Sequence, residues 1–170
     1  MSNEVLQLPD RNTLPLTPQA PDAKQFVTLE GGFSKLSPEV IRNSILGLEK
    51  AMSGLPDESK MGLETMHHFT DGIYIRTVYM KAGSLITGKI HNKEHTVIVS
   101  SGAASIVSED SGSNYLQAPA IFISPPGVKR LLFIHDDMVF TTVHPNPSNT
   151  RNSAQLEAEL MAKDYSEVKL

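Results

Sequence analysis

The sequence of 170 residues contains no cysteine. Every disulfide needs a pair of cysteines, and thiolates are the ligands of Cys-based zinc sites and of iron–sulfur clusters. The composition therefore excludes a disulfide-stabilised scaffold, both of those metal centres and a thiol nucleophile. Hydrophobic residues make up 39% of the chain, which is enough to build a core in at least part of it.

Long apolar runs and an excess of positive charge are also missing. No stretch approaches the roughly 18 apolar residues that span a bilayer, and the opening Met-Ser-Asn-Glu-Val lacks the pattern of a signal peptide. Fifteen basic residues against nineteen acidic ones leave a net charge of −4, whereas nucleic-acid binding needs clustered basic residues. We therefore expect no membrane and no nucleic acid as partner, and a protein that stays in the cytoplasm.

Residues 1–36 are predicted to form an extended N-terminal arm. Pro9, Pro15, Pro18 and Pro21 interrupt any helix there, and polar residues separate the few hydrophobic ones. Such a segment has no apolar face of its own to bury. It is either disordered or laid along another surface.

Residues 37–60 are predicted to form an amphipathic helix and a linker. Ser37 suits the N-cap, Pro38 the first helical position and Glu39 the positive end of the helix dipole, while Gly54 and Pro56 end the helix. Apolar residues recur at steps of four and three along one face: Ile41, Ile45, Leu48, Met52 and Leu55. We expect this face to pack on the domain or on a neighbouring subunit.

Residues 61–146 have the pattern of an all-β domain. Short segments rich in Ile, Val, Thr, Tyr and Phe alternate with turn signals such as Asp71-Gly72, Ser101-Gly102 and Asp136-Asp137. The predicted strands are Glu64–Phe69, Ile73–Met80, Ile86–Ile90, Thr96–Ser100, Ala104–Ser108, Tyr115–Gln117, Ala120–Ile123, Arg130–His135 and Val139–His144. Regular short strands without intervening helices indicate a β-sandwich, jelly roll or barrel.

Residues 147–170 are predicted to form a linker and a C-terminal helix. The linker is the segment from Pro145 to Asn149, and the helix is expected from Asn152 to Leu170. Its apolar residues are Leu156, Leu160, Met161, Tyr165 and Val168.

Two stretches of the β domain carry a resemblance to the cupin superfamily. The first resembles the signature G-x5-H-x-H-x3-E-x6-G: Gly83, His91 and Gly102 fall at its positions, Lys89 stands at the first histidine and His95 at the glutamate. The second signature, G-x5-P-x-G-x2-H-x3-N, is answered by Pro125-Pro126-Gly127, with Arg130 in place of its histidine. The resemblance implies a cupin-type jelly roll or barrel, with the arm and both helices outside it.

Typical cupins hold a transition metal on three histidines and a glutamate, and the resemblance places Lys89, His91, His95 and Arg130 at those four positions. Arginine keeps its proton and repels a cation, and lysine is nearly as poor a ligand. The expectation is therefore a cationic pocket without metal or other cofactor, suited to a carboxylate or phosphate.

Other histidines leave a metal site open as the alternative. A divalent transition metal on His91 and His95 would take its third ligand from His144 or His67. His135 lies an odd number of residues from Arg130 and is expected on the opposite face of its strand. His144 cannot be placed by this parity, because a turn is predicted at Asp136-Asp137.

The residues around the two signatures are also similar to those of uncharacterised cupin-like proteins of tailed bacteriophages. Together with the cationic pocket and the flanking helices, it implies a non-enzymatic, self-associating jelly-roll protein, in the cytoplasm or virion of an infected bacterium. The expected partners are copies of itself, and other virion proteins through the arm and helices. The alternatives are a metal-dependent small-molecule enzyme (isomerase, lyase or dioxygenase) using His91 and His95, and a cupin that binds an organic anion.

Overall fold

A computed structural model describes residues 36–56 and 63–168, so most of the predicted arm and linker lies outside the described residues. The first helix, α1 (Pro38–Ser53), confirms the predicted start and end. Ser37 Oγ accepts a hydrogen bond from the Val40 amide at 3.4 Å, and Gly54 follows the last turn. None of the helices in these two ranges is long and apolar enough to cross a membrane.

Within residues 63–168, nine strands follow α1, and every strand pair among them is antiparallel. They are β1 (Glu64–Thr70), β2 (Ile73–Met80), β3 (Leu85–Thr87), β4 (Ile90–His91), β5 (His95–Ser108), β6 (Gly112–Gln117), β7 (Ala120–Ser124), β8 (Arg130–Pro145) and β9 (Met161–Ala162). The remaining elements are the helix α2 (Ser153–Leu160) and a 3-10 turn (Tyr165–Glu167).

The two long strands β5 and β8 pair along most of their length and belong to both halves of a folded sheet. The C-terminal half of β8 pairs with β2 and the N-terminal half of β5 with β7, which gives the order β1-β2-β8-β5-β7. The other halves pair with β3 and β6, which gives β3-β8-β5-β6. This antiparallel sandwich confirms the predicted all-β jelly-roll class.

The hydrophobic core lies between these two halves. Its buried members come from β2, β5 and β8 and are Val78, Met80, Val97, Val99, Ala104, Ile106, Leu132, Ile134 and Met138. Alternation along the strands places every second side chain in this core. In β8 the inward positions are even-numbered, from Leu132 to His144.

Two predicted turns are wrong, because each lies inside a long strand. Gly102 sits within β5 at φ +86°, where the β5–β8 register shifts, and its backbone lies directly against that of Asp136 and Asp137 in β8. A glycine that permits a bulge has the same sequence signal as a glycine that permits a turn. The four segments predicted on either side of these points are therefore two strands.

Helix α1 packs on the outside of the sandwich. Ile41 and Ile45 are buried against Val107 of β5, with Leu131 of β8 beside them. A nearly buried ammonium also joins α1 to the sandwich, since Lys129 Nζ donates to Glu49 Oε1 at 2.8 Å. The apolar face of α1 is thus used within the domain, one of the two packing partners expected from the sequence.

The predicted C-terminal helix is shorter than expected. Helix α2 begins at Ser153 after the N-cap Asn152, whose Oδ1 accepts from the amides of Ala154 and Gln155 at 3.0 and 3.1 Å, and it ends at Leu160. Met161 has extended dihedral angles and pairs with His91, so β9 forms where the helix was expected to continue. The tail therefore supports β4 instead of lying outside the sandwich as one helix.

Candidate functional site

Three histidines meet at one end of the sandwich. His91 lies in β4, His95 begins β5 and His144 lies near the end of β8. Their ring centroids are 4.1 Å (His91–His95), 5.0 Å (His91–His144) and 4.6 Å (His95–His144) apart. One ring nitrogen from each lies within 4.8 Å of the others, and we call this group the histidine cluster.

The nitrogens of the histidine cluster have too few partners. The Lys93 carbonyl lies 3.2 Å from His95 Nδ1, which places the proton on Nδ1 and leaves the Nε2 lone pair free. His91 Nδ1 and His144 Nε2 are buried and have no hydrogen-bond partner among the described residues. Buried polar atoms without partners destabilise a fold, so such atoms are a signal of a bound ion or ligand.

The surroundings keep these imidazoles neutral. Burial, followed by the charges of His95, His144, Arg76 and Arg130, lowers the pKa of His91 to about 2. Burial, followed by the charges of His95 and Arg76, lowers the pKa of His144 to about 3. Burial also lowers the pKa of His95. At neutral pH all three rings therefore offer unprotonated nitrogens.

The donor set fits a transition metal. Neutral imidazoles are common ligands of zinc, iron, nickel and copper, and three of them leave coordination positions open for a substrate. The two partnerless nitrogens are what a metal would satisfy, and the Lys93 carbonyl orients His95 as an outer partner commonly orients a ligating histidine. His91, His95 and His144 would hold the ion, whereas Lys89 and Arg130 take no part in this set.

A cavity of about 170 Å³ adjoins the histidine cluster. His91 and His95 form part of its wall, together with the charged side chains of Arg76, Lys89 and Arg130. Most of the remaining wall is apolar, with side chains that include Val78, Met80, Ile86, Val97, Leu132 and Phe140. No aspartate or glutamate among the described residues lines the cavity. Its wall therefore combines positive charge with apolar surface.

Arg130 points into the sandwich at the position of the second-signature histidine. Its Nη1 donates to the buried Ser124 Oγ at 2.7 Å, and its guanidinium carbon lies 5.7 Å from the Phe122 ring centroid. Burial lowers its pKa, while Asp110 and Glu109 act in the opposite direction from a distance. Arg130 thus lines the cavity, and its role in binding an anion stays a prediction.

Lys89 is placed differently from the expectation that it converges with Arg130 inside the pocket. It lines the cavity, but its side chain is 57% exposed and its ammonium forms an ion pair with Glu157 of α2. The reason is α2, which brings an acid to this edge that the sequence pattern did not place. The proposed anion-binding role of Lys89 thus has a competing partner within the chain.

The other histidines lie away from the cluster. His67 Nδ1 and the Tyr74 hydroxyl share a hydrogen bond of 2.7 Å, and the Tyr74 ring stacks on His144 at 5.9 Å. His135 contacts Ser105 Oγ at 2.8 Å, outside the cavity lining, as the strand parity indicates. Of the two third ligands left open by the sequence, the geometry brings in His144 and not His67.

Arg76 is a cavity residue that the sequence reasoning missed. It lies in β2 with the same parity as the buried Tyr74, Val78 and Met80, and this alternation is the signal that could have found it. A positive charge at an inward position of a strand marks either a buried pair or a binding site. The cavity therefore contains a second inward arginine besides Arg130.

No family model and no curated protein matches the chain. Solved structures similar to it include a cupin-2 domain-containing protein from Shewanella frigidimarina, with 14% identity, 58% of this chain and 92% of that chain covered, and a TM-score of 0.42. An RmlC-like cupin family protein from Methanocaldococcus jannaschii has 17% identity, coverage of 52% and 94%, and a TM-score of 0.40. KdgF from a Halomonas species has 13% identity, coverage of 53% and 86%, and a TM-score of 0.44.

Proposed function

We propose that this protein is a metal-dependent small-molecule enzyme of the cupin type, with a divalent transition metal held by His91, His95 and His144. The observation that carries the proposal is the histidine cluster itself. Two buried imidazoles and the half-buried His91 lie close enough to share one ion, and two of their nitrogens have no hydrogen-bond partner among the described residues. A structural role would leave those two nitrogens desolvated without compensation.

The cavity beside the cluster favours an enzyme over a purely structural metal site. Structural sites are closed by four protein ligands, whereas catalytic sites keep a position open. Here the described residues supply three imidazoles, and the cavity adjoins two of them. A divalent ion held there would act as a Lewis acid toward a substrate oxygen. The apolar wall would exclude water, and the arginines would orient a charged group.

Metal content tests this function directly. Untagged protein is expected to hold about one equivalent of zinc, iron, nickel or copper, measured by mass spectrometry of the metals. His144→Ala should lose that metal, because two imidazoles do not form a tight site. Saturation at about 100 times Kd should stabilise the wild type by about 2.7 kcal/mol, which raises its Tm by roughly 5–10 °C.

The matched control is His68→Ala, because His68 is an exposed histidine on β1 and belongs to no cluster. It should keep both the metal and the thermal shift. Wild-type protein that binds none of the four metals, or a His144→Ala variant that keeps a full equivalent, would contradict the proposed function. Turnover is then sought by screening small substrates with the loaded enzyme.

We propose self-association as a second candidate function, on the evidence of β7. This strand pairs with β5 and with no other strand among the described residues, and its outward Ile121 and Ile123 are 72% and 54% exposed. An edge strand with large exposed apolar side chains is a common contact between subunits. The virion role expected from the phage resemblance stays a prediction that depends on such contacts.

A mass measurement in solution tests this candidate. If β7 forms a subunit contact, light scattering after gel filtration should give a multiple of 18.6 kDa for the wild type. Ile121→Lys should shift the mass toward the monomer, because it places a charge in the contact. Thr65→Lys, an exchange at a partly exposed position on β1, is the control. A wild-type protein that is monomeric in solution would contradict the proposed self-association through β7.

A further inference from the structure

We propose that the cavity beside the histidine cluster binds a small organic carboxylate through the guanidinium groups of Arg76 and Arg130. The carboxylate is a substrate only if the proposed function holds, but its binding needs no metal. Three features carry the inference: two inward cations, the absence of an acid from the described cavity wall, and the apolar remainder of that wall.

Arg76 has no counter-ion within the part of the chain that the structure describes. The ion pairs of these residues join Arg42 to Glu109, Lys81 to Asp137, Lys89 to Glu157 and Lys129 to Glu49. No hydrogen bond of the Arg76 side chain occurs among the described residues, although its backbone carbonyl accepts from Thr142. An inward guanidinium without an acid is a site prepared for an anion.

Arg130 also lacks a carboxylate partner in the described ranges. The one hydrogen bond of its side chain among the described residues goes to the neutral Ser124 hydroxyl, which fixes the guanidinium without neutralising it. The two acids whose charges act on Arg130 have partners of their own: Glu109 pairs with Arg42, and Asp110 accepts from Ser108 at 2.6 Å.

The two arginines line the same cavity as His91 and His95. An anion held in that cavity would therefore lie beside the histidine cluster. A second cavity of about 260 Å³ shares Arg76, Lys89 and Met161 with the first, and its wall also contains Glu157, the ion-pair partner of Lys89.

Size and polarity narrow the ligand to an organic carboxylate. The cavity of about 170 Å³ is smaller than the roughly 300–1,000 Å³ of pockets for drug-sized ligands, so it suits a small molecule. The planar guanidinium matches the two oxygens of a carboxylate. The apolar wall formed by Val78, Val97 and Leu132 suits a hydrocarbon portion, which inorganic phosphate lacks.

Calorimetry with acetate, propionate and succinate, on metal-free and on Zn²⁺-loaded protein, tests the inference. Succinamide is the uncharged counterpart of succinate, and inorganic phosphate is the anion without an apolar portion. We expect at least one of the three carboxylates to bind the metal-free protein, and expect succinamide and phosphate to bind at least tenfold more weakly. If none of the three binds, or if succinamide or phosphate binds as well as succinate, the inference is wrong.

Variants assign the binding to the two arginines. Arg76→Gln and Arg130→Gln should each weaken carboxylate binding about 10- to 100-fold, as the loss of a charge-assisted hydrogen bond implies. Arg76→Lys and Arg130→Lys keep the positive charge but lose the planar guanidinium that binds both carboxylate oxygens. Their carboxylate affinities should lie between those of the wild type and the Gln variants. They also carry the test if Arg130→Gln does not fold. Arg151→Gln, an exposed arginine 6.0 Å from the Phe69 ring centroid, is the control and should bind as wild type. Unchanged affinity in folded Arg76 and Arg130 variants overturns the inference.

Comparing metal uptake with carboxylate binding distinguishes a failure of this inference from a failure of the proposed function. Carboxylate binding by a protein that takes up none of the four metals when they are added would support the arginine site and contradict the metal-dependent enzyme. A metal-loaded protein that binds none of the carboxylates would support the metal site and overturn the arginine site.

Discussion

Replacement of Gly102 by alanine is expected to destabilise the fold by about 4 kcal/mol or more and to yield mostly insoluble protein. An added Cβ would lie 2.6 Å from both the Asp137 carbonyl oxygen and Met138 Cα, and 2.7 Å from the Asp136 carbonyl oxygen. These are backbone atoms of the paired strand and cannot rotate away. The left-handed φ of +86° adds about 1–2 kcal/mol of strain for any L side chain.

Alanine variants at two further glycines distinguish the cost of the steric clash at Gly102 from the cost of its backbone strain. Gly72 has a φ of +70° with open space around it, so Gly72→Ala should cost only about 1–2 kcal/mol. Gly47 lies within α1 with nothing nearby, so Gly47→Ala should stabilise by about 0.5–1 kcal/mol. Urea unfolding of the three variants measures the series. A Gly102→Ala protein as stable as Gly72→Ala would show that β5 and β8 do not meet at this glycine.

Acid is expected to destabilise the metal-free protein from about pH 6.5 downward. The pKa values of His91 and His144, about 2 and about 3 in the fold, lie below the ordinary value near 6.5 that the unfolded chain has. Below that pH the unfolded chain binds protons that the folded chain does not. The stabilisation is therefore complete above about pH 6.5 and is lost as the pH falls toward 3.

Below about pH 6.5 the free energy of unfolding falls by about 1.4 kcal/mol per pH unit for each of these two histidines. Together they should lower it by about 4 kcal/mol between pH 7 and pH 5. Urea midpoints across this range measure it. His144→Asn should reduce the slope by about one proton, because asparagine does not titrate. The exposed His68→Asn should leave it unchanged. A midpoint that is flat between pH 7 and pH 5 would contradict the buried, neutral state of the histidine cluster.

The elements that depend on neighbouring residues could be predicted from the sequence. The start of α1 is one of them, because the Ser37 cap and Pro38 act within a single turn. The end of α2 is not, since Leu160 is followed by a strand whose partner is β4, distant in the chain. The same contrast holds at Gly102, whose sequence neighbours indicate a turn while the backbone of β8 makes it a bulge.

The candidate site was predicted in part for the same reason. His91, His95 and Arg130 were found through their spacing in the two signatures, and all three line the cavity. His144 could not be placed because a turn was assumed at Asp136-Asp137. In the structure β8 is continuous there, and His144 has the same even-numbered parity as Arg130. Arg76 lies outside both signatures, and only the alternation along β2 identifies it.

The pairing of β4 with β9 has a consequence for biosynthesis. His91 has no strand partner in the described chain other than Met161, and the Asn92 amide donates to the Leu160 carbonyl at 2.8 Å. A ribosome makes His91 long before it makes Met161, and domains generally fold as units while the chain emerges. The nascent sandwich can close around its core before β9 exists. His91 therefore gains its strand partner only after the strands β1 to β8 have been synthesised.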